Sequence, residues 1–395
     1  MSPPALRIEL ITRRSQIPLD AARWNALVAA NETNTVFQTF EWFDAWWQTF
    51  GASRALWFLV VRQGEEIVGF APLTRRRSPF GWRLLEFAGT GNADYLDFVL
   101  PKDKPRQLAA IGAFLRAHRF SWERLALQNV PNHSSTHAAL LEVARDTGLH
   151  VVDEMRVTCP TLILGPDTAL ARGMIDKYSL RRPLNWFRKR GEVNFRHVDS
   201  AAEIARLLPA FFEQHRRRWG SIGRYSIFSE ARQRKFYETL ARVLLPCGWL
   251  QFSVVEFNGE PIAFHFGFDY GGTITWYKPT FDTRFAEHSP GLLLTRQLIE
   301  DGLARSRREL DFTIGDEAFK GRFSSHQRSN LNFGVYPSGF SRSFASGVRG
   351  LRRFAGRLWH RLPAKRPQRP RMECVEESLQ EVPLRVSTGV NRGPA

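Results

Sequence analysis

Ser289-Pro290-Gly291 opens a helical stretch over residues 292–306 and offers backbone suited to an anion. A helix N-terminus carries N–H groups without intrahelical partners and a partial positive charge, and glycine lets a ligand approach the main chain closely. Fed by a strand over 273–278, this start makes a cradle for a diphosphate, with Ser289, Gly291 and Leu292 as the residues to hold it. The same triplet also reads as an ordinary helix start, Ser289 capping and Pro290 in the first turn. His265 lies on a strand over 262–269 whose Ile262, Phe264, Phe266 and Phe268 point one way while Ala263, His265, Gly267 and Asp269 point the other. On that small, polar face His265 has the chemistry of a general base near neutral pH. A histidine packed on a backbone partner fits the same pattern.

The run from Leu310 to Phe323 gathers charge at a strand end, where sites are commonly built. Asp316 and Glu317 have the chemistry to take a proton from an attacking amine, and Lys320 and Arg322 to meet a phosphate or carboxylate. The alternative is a solvated loop whose exposed ion pair contributes little. Common catalytic signatures are missing: there is no Walker or Rossmann glycine loop, Cys-x-x-Cys or nucleophile elbow. Most kinases, nucleotide hydrolases and nicotinamide oxidoreductases are thereby set aside. Chemistry by positioning, without a metal, remains.

The elements that must position these residues follow from periodicity. Helical spacing covers two short helices within 21–50, then 104–118, 135–147, 177–190, 201–219, 230–245 and 290–306. Strands are expected at 55–62 and 66–74 as a hairpin, at 82–87, 95–100, 122–127 and 193–198, and over an extended 150–164. Asn258-Gly259 joins 250–257 to 261–270 as a tight hairpin, and 273–278 completes a meander. Strands at 310–314 and 330–336 close the pattern. Both halves run through helices, a meander and strand–helix alternation. The expectation is an α+β chain of two tandem domains, 1–165 and 166–340, linked at Gly165-Pro166-Asp167, with a basic, loosely ordered tail over 341–395 that holds one basic helix at 347–362.

The chain has 395 residues and a formal net charge of +17. Twelve basic and four acidic residues fall within 342–395, so much of this charge belongs to the tail. Arginine clusters at 75–77, 181–182, 188–190 and 216–218 have the charge for nucleic acid, but no zinc finger, RNA-recognition signature or helix-turn-helix accompanies them. A nucleic-acid partner is not expected. Peripheral membrane contact through the tail stays open. Cys159, Cys247 and Cys374 are odd in number and far apart, the N-terminus has no apolar leader, and no run reaches the roughly 18 residues of a membrane span. The expectation is a cytoplasmic protein.

Four segments in order resemble one family. They are Trp24-Asn25-Ala26-Leu27 with Val36-Phe37-Gln38-Thr39-Phe40-Glu41-Trp42 and Trp46-Trp47; Arg181 to Arg190 with Gly191-Glu192-Val193-Asn194-Phe195; Phe212 to Trp219; and Ser289-Pro290-Gly291-Leu292-Leu293-Leu294 with Asp311-Phe312, Gly315-Asp316-Glu317 and Phe319-Lys320. Together, spanning about residues 20–337, they resemble the tandem GNAT-like acetyltransferases of the BioF2-like, or cellulose-biosynthesis CelD, family, distant relatives of the Fem peptidyltransferases. The sequence departs from that pattern where Ser289-Pro290-Gly291 replaces the usual Arg/Gln-x-x-Gly-x-Gly/Ala loop and where Phe319 replaces a frequent Tyr. The resemblance implies two GNAT-like units, each a mixed twisted sheet flanked by helices. It also implies acyl transfer, with acetyl-CoA or another acyl-CoA as donor and a small-molecule or saccharide amine or hydroxyl as acceptor, in polysaccharide or cell-envelope metabolism with its partner proteins. On this reading Asp316 and His265 take the nucleophile's proton, Lys320 orients an anionic group, and Ser289, Gly291 and Leu292 hold the donor. A Fem-like transfer from aminoacyl-tRNA and a non-catalytic scaffold for an envelope-polymer synthase are the alternatives.

Overall fold

A computed structural model describes residues 5–79, 81–165 and 168–339. Pro166 and Asp167 of the expected linker, the tail over 341–395 with its helix at 347–362, and Cys374 lie outside the described residues. The first part of the chain forms β1 (Leu6–Ile11), α1 (Ala21–Ala29), α2 (Phe40–Phe50), β2 (Ala55–Gln63), β3 (Glu66–Arg77), β4 (Arg83–Phe87), α3 (Lys104–Ala117), β5 (Arg124–Pro131), α4 (Thr136–Thr147) and β6 (His150–Ile163). The second part forms α5 (Ala169–Ile175), α6 (Tyr178–Arg188), β7 (Val193–His197), α7 (Ala201–Ser221), α8 (Ala231–Leu244), β8 (Leu250–Phe257), β9 (Glu260–Tyr270) and β10 (Thr273–Phe281). It closes with α9 (Pro290–Ala304), β11 (Glu309–Asp311), α10 (Ala318–Phe323) and β12 (His326–Tyr336).

All twelve strands join one mixed sheet in the order β1-β2-β3-β4-β5-β12-β6-β11-β10-β9-β8-β7. The order holds the same motif twice. From each end inward run four antiparallel strands, then a helical crossover to a parallel fifth strand: β1 to β5 across α3, and β7 to β11 across α9. The repeats meet over β12 and β6. The last strand pairs with both β5 and β6, and the end of β6 pairs with β11, so the sheet runs unbroken across residue 165.

Local chemistry accounts for these elements. Asp20 and Thr39 accept backbone N–H bonds from Arg23 and Trp42 as N-caps of α1 and α2. Asn258 and Gly259 both take positive φ, the backbone of a tight hairpin turn. One core gathers α1 to α4, α7, α8 and the Phe264-Phe266-Phe268 face of β9; the second, on the opposite face of the second repeat, gathers α5, α6, α9 and α10. Both faces of β9 are therefore covered.

The expected strand at 95–100 does not form. Val99 bridges Phe70, and Asp97 turns its buried carboxylate onto the Phe98 N–H, Thr33, Ser134, Thr136 and Lys104. A side chain bonding local backbone competes with a sheet ladder. The expected strand at 310–314 keeps only Glu309–Asp311, and β1, α5 and α10 are elements the periodicity did not indicate.

Candidate active site

The second repeat opens at its parallel pair. β10 and β11 share three register positions, Thr273–Glu309, Ile274–Leu310 and Thr275–Asp311. Beyond them Lys278 to Phe281 stay with β9, while Phe312 and Gly315 donate their N–H groups to Pro160 and Thr158 of β6, each at 3.0 Å. The two segments thus part in a wedge with Thr275 and Asp311 at its apex, spanned by side chains: the Thr313 hydroxyl donates to the Trp276 carbonyl at 3.3 Å, and Trp276 packs on Phe312 and Phe319. The corresponding opening of the first repeat is filled by its own backbone. β4 and β5 also pair over three positions, but Val99 then bonds Phe70 of β3 and Leu96 bonds the Asn129 carbonyl of β5.

His265 and Gly267 shape the wedge from β9. Trp276 and Tyr277 form a bulge in β10 opposite Gly267, a device that bends a strand and re-aims its side chains. His265 is fully buried, stacks on Trp276 with centroids 5.4 Å apart, and places Nε2 3.2 Å from the Thr275 carbonyl. A Cβ on Gly267 would stand 2.1 Å from the His265 ring and 2.3 Å from that carbonyl. The glycine is therefore required by close packing, and His265 sits against the bulge that splits the strands.

At the apex, Asp311 is buried and accepts hydrogen bonds from the Tyr95 hydroxyl at 2.9 Å and the Thr313 N–H at 2.8 Å. Burial raises its carboxyl to about 6, against the pull of those two donors. Tyr95 is pushed well up by burial and by the Asp311 charge, and the buried Cys159 thiol beside them is raised by the same two causes. Asp311 therefore has a proton affinity suited to acid–base work near neutral pH. Tyr95 comes from the first repeat, so both halves build this apex. Asp311 stood in the sequence within the Asp311-Phe312 pair at a strand end; Tyr95, 216 residues away, carried no local signal.

The loop after the wedge separates the other expected residues. Asp316 is exposed. Lys320 is buried, ion-paired with Glu317 at 3.1 Å and bonded to the Ile314 carbonyl at 2.6 Å. Gly315 makes this packing fit, with φ of 138° and no room for a Cβ beside the Glu317 carboxylate. The Lys320 charge is thus matched inside the loop, and Glu317, Lys320 and His265 brace the wedge while Asp316 stands at its surface.

The α9 start brings Ser289, Gly291 and Leu292 together. Ser289 is left-handed, with φ of 55°, and its side chain caps no N–H of the helix. Gly291 is buried, Ser289 and Leu292 are half-buried, and the His288 ring stacks on Trp186 at 3.5 Å. In the first repeat α3 also starts from a left-handed residue, Asp103, but there the carboxylate accepts the Arg106 N–H and occupies the helix start. The second repeat thus pairs parted strands with a helix start left uncapped by its own side chain, and such a start suits an anion.

Residues 176–321 match the family described as "Acetyltransferase (GNAT) domain". The second repeat has the GNAT acyltransferase fold. No curated protein sequence matches the chain. Among solved structures the chain is similar to FemX, with a TM-score of 0.59 at 11% identity over 81% of this chain and 96% of that one. It is also similar to a conserved protein of unknown function from Bacteroides thetaiotaomicron VPI-5482, with a TM-score of 0.52 at 12% identity over 83% and 99% of the two chains. A tandem GNAT protein from the clavulanic acid biosynthesis pathway aligns with a TM-score of 0.48 at 14% identity over 83% and 98%. At these identities the similarity to the first two is one of fold alone, a mixed α+β sheet flanked by helices.

Proposed function

We propose that the protein is an acyltransferase that binds its donor in the second repeat and moves an acyl group, acetyl in the simplest case, to an amine or hydroxyl. The observation that carries this reading is the parting of the strands beyond Thr275 and Asp311, spanned by side chains in the second repeat and filled by backbone in the first. An acyl-CoA supplies a thioester carbonyl open to attack. The α9 start at Ser289, Gly291 and Leu292 holds its diphosphate through the Gly291 N–H and the Ser289 hydroxyl, the Leu292 N–H being donated to the Ser289 carbonyl at 3.0 Å, and the edge of β10 past Thr275 aligns the thioester arm. Asp311, oriented by Tyr95 and Thr313, takes the proton of the attacking acceptor; as the new acyl bond forms the carbonyl–sulfur bond breaks, and CoA leaves as the thiol, its sulfur taking up that proton. Asp316 orients the acceptor from the wedge surface, while His265 and Lys320 keep the strands apart. On this reading 1–165 and 166–340 are two domains, the first acting through Tyr95, and the protein belongs with the BioF2-like or CelD acetyltransferases, in the cytoplasm, serving polysaccharide or envelope synthesis.

One observation favours a second donor. Arg181, Arg182, Arg188, Lys189 and Arg190 are exposed on and just after α6, which packs on α9. Such a surface suits the phosphates of an aminoacyl-tRNA, the donor of the Fem-like alternative.

A calorimetric titration of the full chain with acetyl-CoA, longer acyl-CoAs and CoA tests the reading. Saturable binding at one site, lost in Gly291→Asp, is the expected result. No binding across the series, with salt-sensitive binding of aminoacyl-tRNA instead, would transfer the site to the second donor.

A further inference from the structure

Three segments leave one end of the sheet side by side. Register sets Leu84 of β4 beside Arg124 of β5, and Leu125 of β5 beside Val335 of β12. The turn from Ser78 to Trp82, the loop from His118 to Glu123 and the exit of β12 at Pro337 are therefore neighbours. Contacts tie them together. The Glu123 N–H donates to the Arg83 carbonyl at 3.0 Å, and the Arg116 guanidinium donates to the Pro337 carbonyl at 2.7 Å. Phe120 stands on the middle segment with 75% of its surface exposed, and the Arg119 guanidinium lies 4.5 Å from its ring centroid.

A single exposed phenylalanine is ordinary on a protein surface, but the charge around this one is lopsided. Within 77–83, 116–124 and 145–150 six arginines stand with two acids. Arg83 pairs with Glu123, and Arg124 with Glu154 of β6, so the excess is positive. Arg77 and Arg119 are exposed. From this same end the chain passes into the tail, where twelve basic residues outnumber four acidic ones. A helical period run through 347–362 sets Val348, Leu351, Phe354, Leu358, Trp359 and Leu362 along one side, and Arg349, Arg352, Arg353, Arg357 and Arg361 along the other. Apolar and aromatic residues opposite arginines are the pattern of a segment that lies in a bilayer interface. Contact with nucleic-acid phosphates asks for the arginines but not for the apolar side.

We infer that this end of the first repeat is a docking face for an anionic bilayer. Phe120 enters the headgroup region, Arg77 and Arg119 meet lipid phosphates, and the basic tail makes a second contact from the same side. Stable attachment to a membrane surface takes two such weak signals, and here body and tail supply one each.

The test is co-sedimentation of the full chain with vesicles of phosphatidylcholine alone and of phosphatidylcholine mixed with phosphatidylglycerol, with amide hydrogen exchange on the bound protein. The expected result is binding about 10-fold or more tighter to the anionic vesicles, with new protection at 118–122. Phe120→Ser and Arg119→Glu should each weaken that binding about 10-fold. Leu358→Asp in the tail should weaken it by a similar factor, while Arg216→Ala on α7 leaves it unchanged. Phe120 and Arg119 are exposed, so both variants should unfold at the wild-type temperature and report the contact rather than the fold. No binding to the anionic vesicles, or binding that Phe120→Ser and Arg119→Glu both leave intact, would overturn the inference. A short RNA duplex that displaces the protein from the vesicles would assign the face to nucleic acid instead. Protection of 118–122 that is already complete without vesicles would make the tail its cover, and would also overturn the inference.

Discussion

Replacing Tyr95 by Phe deletes the hydroxyl that donates to Asp311 at 2.9 Å and leaves the ring in its packing. A hydrogen bond to a charged group contributes about 1.5–3 kcal/mol, and one pKa unit corresponds to about 1.4 kcal/mol. Losing this donor raises the Asp311 carboxyl, already at about 6, by about 1–2 units. At pH 7 the group then passes from mostly ionised to between about half and nine-tenths protonated, and its action as a base falls in proportion. The assay is carboxyl titration by carbon NMR in the wild type and Tyr95→Phe, with the acid limb of the pH–rate profile measured on the same proteins. Both midpoints should move up together. A carboxyl midpoint that stays put would refute the hydrogen-bond reasoning; a carboxyl that moves under an unmoved rate limb would remove Asp311 from the chemistry.

Asp311→Asn isolates the cost of burying that charge. The folded state holds this proton longer than the unfolded chain, so stability falls as the wild type ionises between about pH 4 and 6, by about 3 kcal/mol; the variant, measured by urea unfolding across that window, should lack the fall. Gly267→Ala forces a methyl onto the His265 ring and the Thr275 carbonyl, at a cost of about 1–3 kcal/mol. Thermal unfolding should show that loss, and calorimetry weaker acyl-CoA binding; an unchanged midpoint would mean the bulge yields freely. Glu317→Gln leaves Lys320 charged and buried, and should cost about 3–5 kcal/mol in denaturant unfolding, with Glu317→Leu combined with Lys320→Met recovering most of it. A cost near zero for Glu317→Gln would show that the pair is solvated.

Local chemistry made several elements legible. The hairpin of β2 and β3, the Asn258-Gly259 turn and the Pro290 helix start declare themselves by alternation, a turn pair and a first-turn proline. The helix start that brings Ser289, Gly291 and Leu292 together was readable for the same reason, since all three lie in one turn. Residues 95–100 misled because their apolar alternation gives no sign that Asp97 binds backbone and side chains around it. His265 was readable as one face of a strand, but its role depends on Trp276 and on a bulge that no alternation reports. Lys320 and Glu317 are three residues apart, yet whether their pair is solvated or buried depends on the packing of Gly315 and β6. Tyr95 meeting Asp311, and β12 returning between β5 and β6, are consequences of topology over long chain separations.

The central claim is that the second repeat's wedge and the α9 start hold the donor. Amide hydrogen exchange of the full chain, with and without saturating acetyl-CoA, tests it most directly. The account expects new protection at 276–278, 289–293 and 312–316, with residues 88–106 of the first repeat unchanged. Protection confined to the first repeat, or none at the α9 start under saturating ligand, would contradict it.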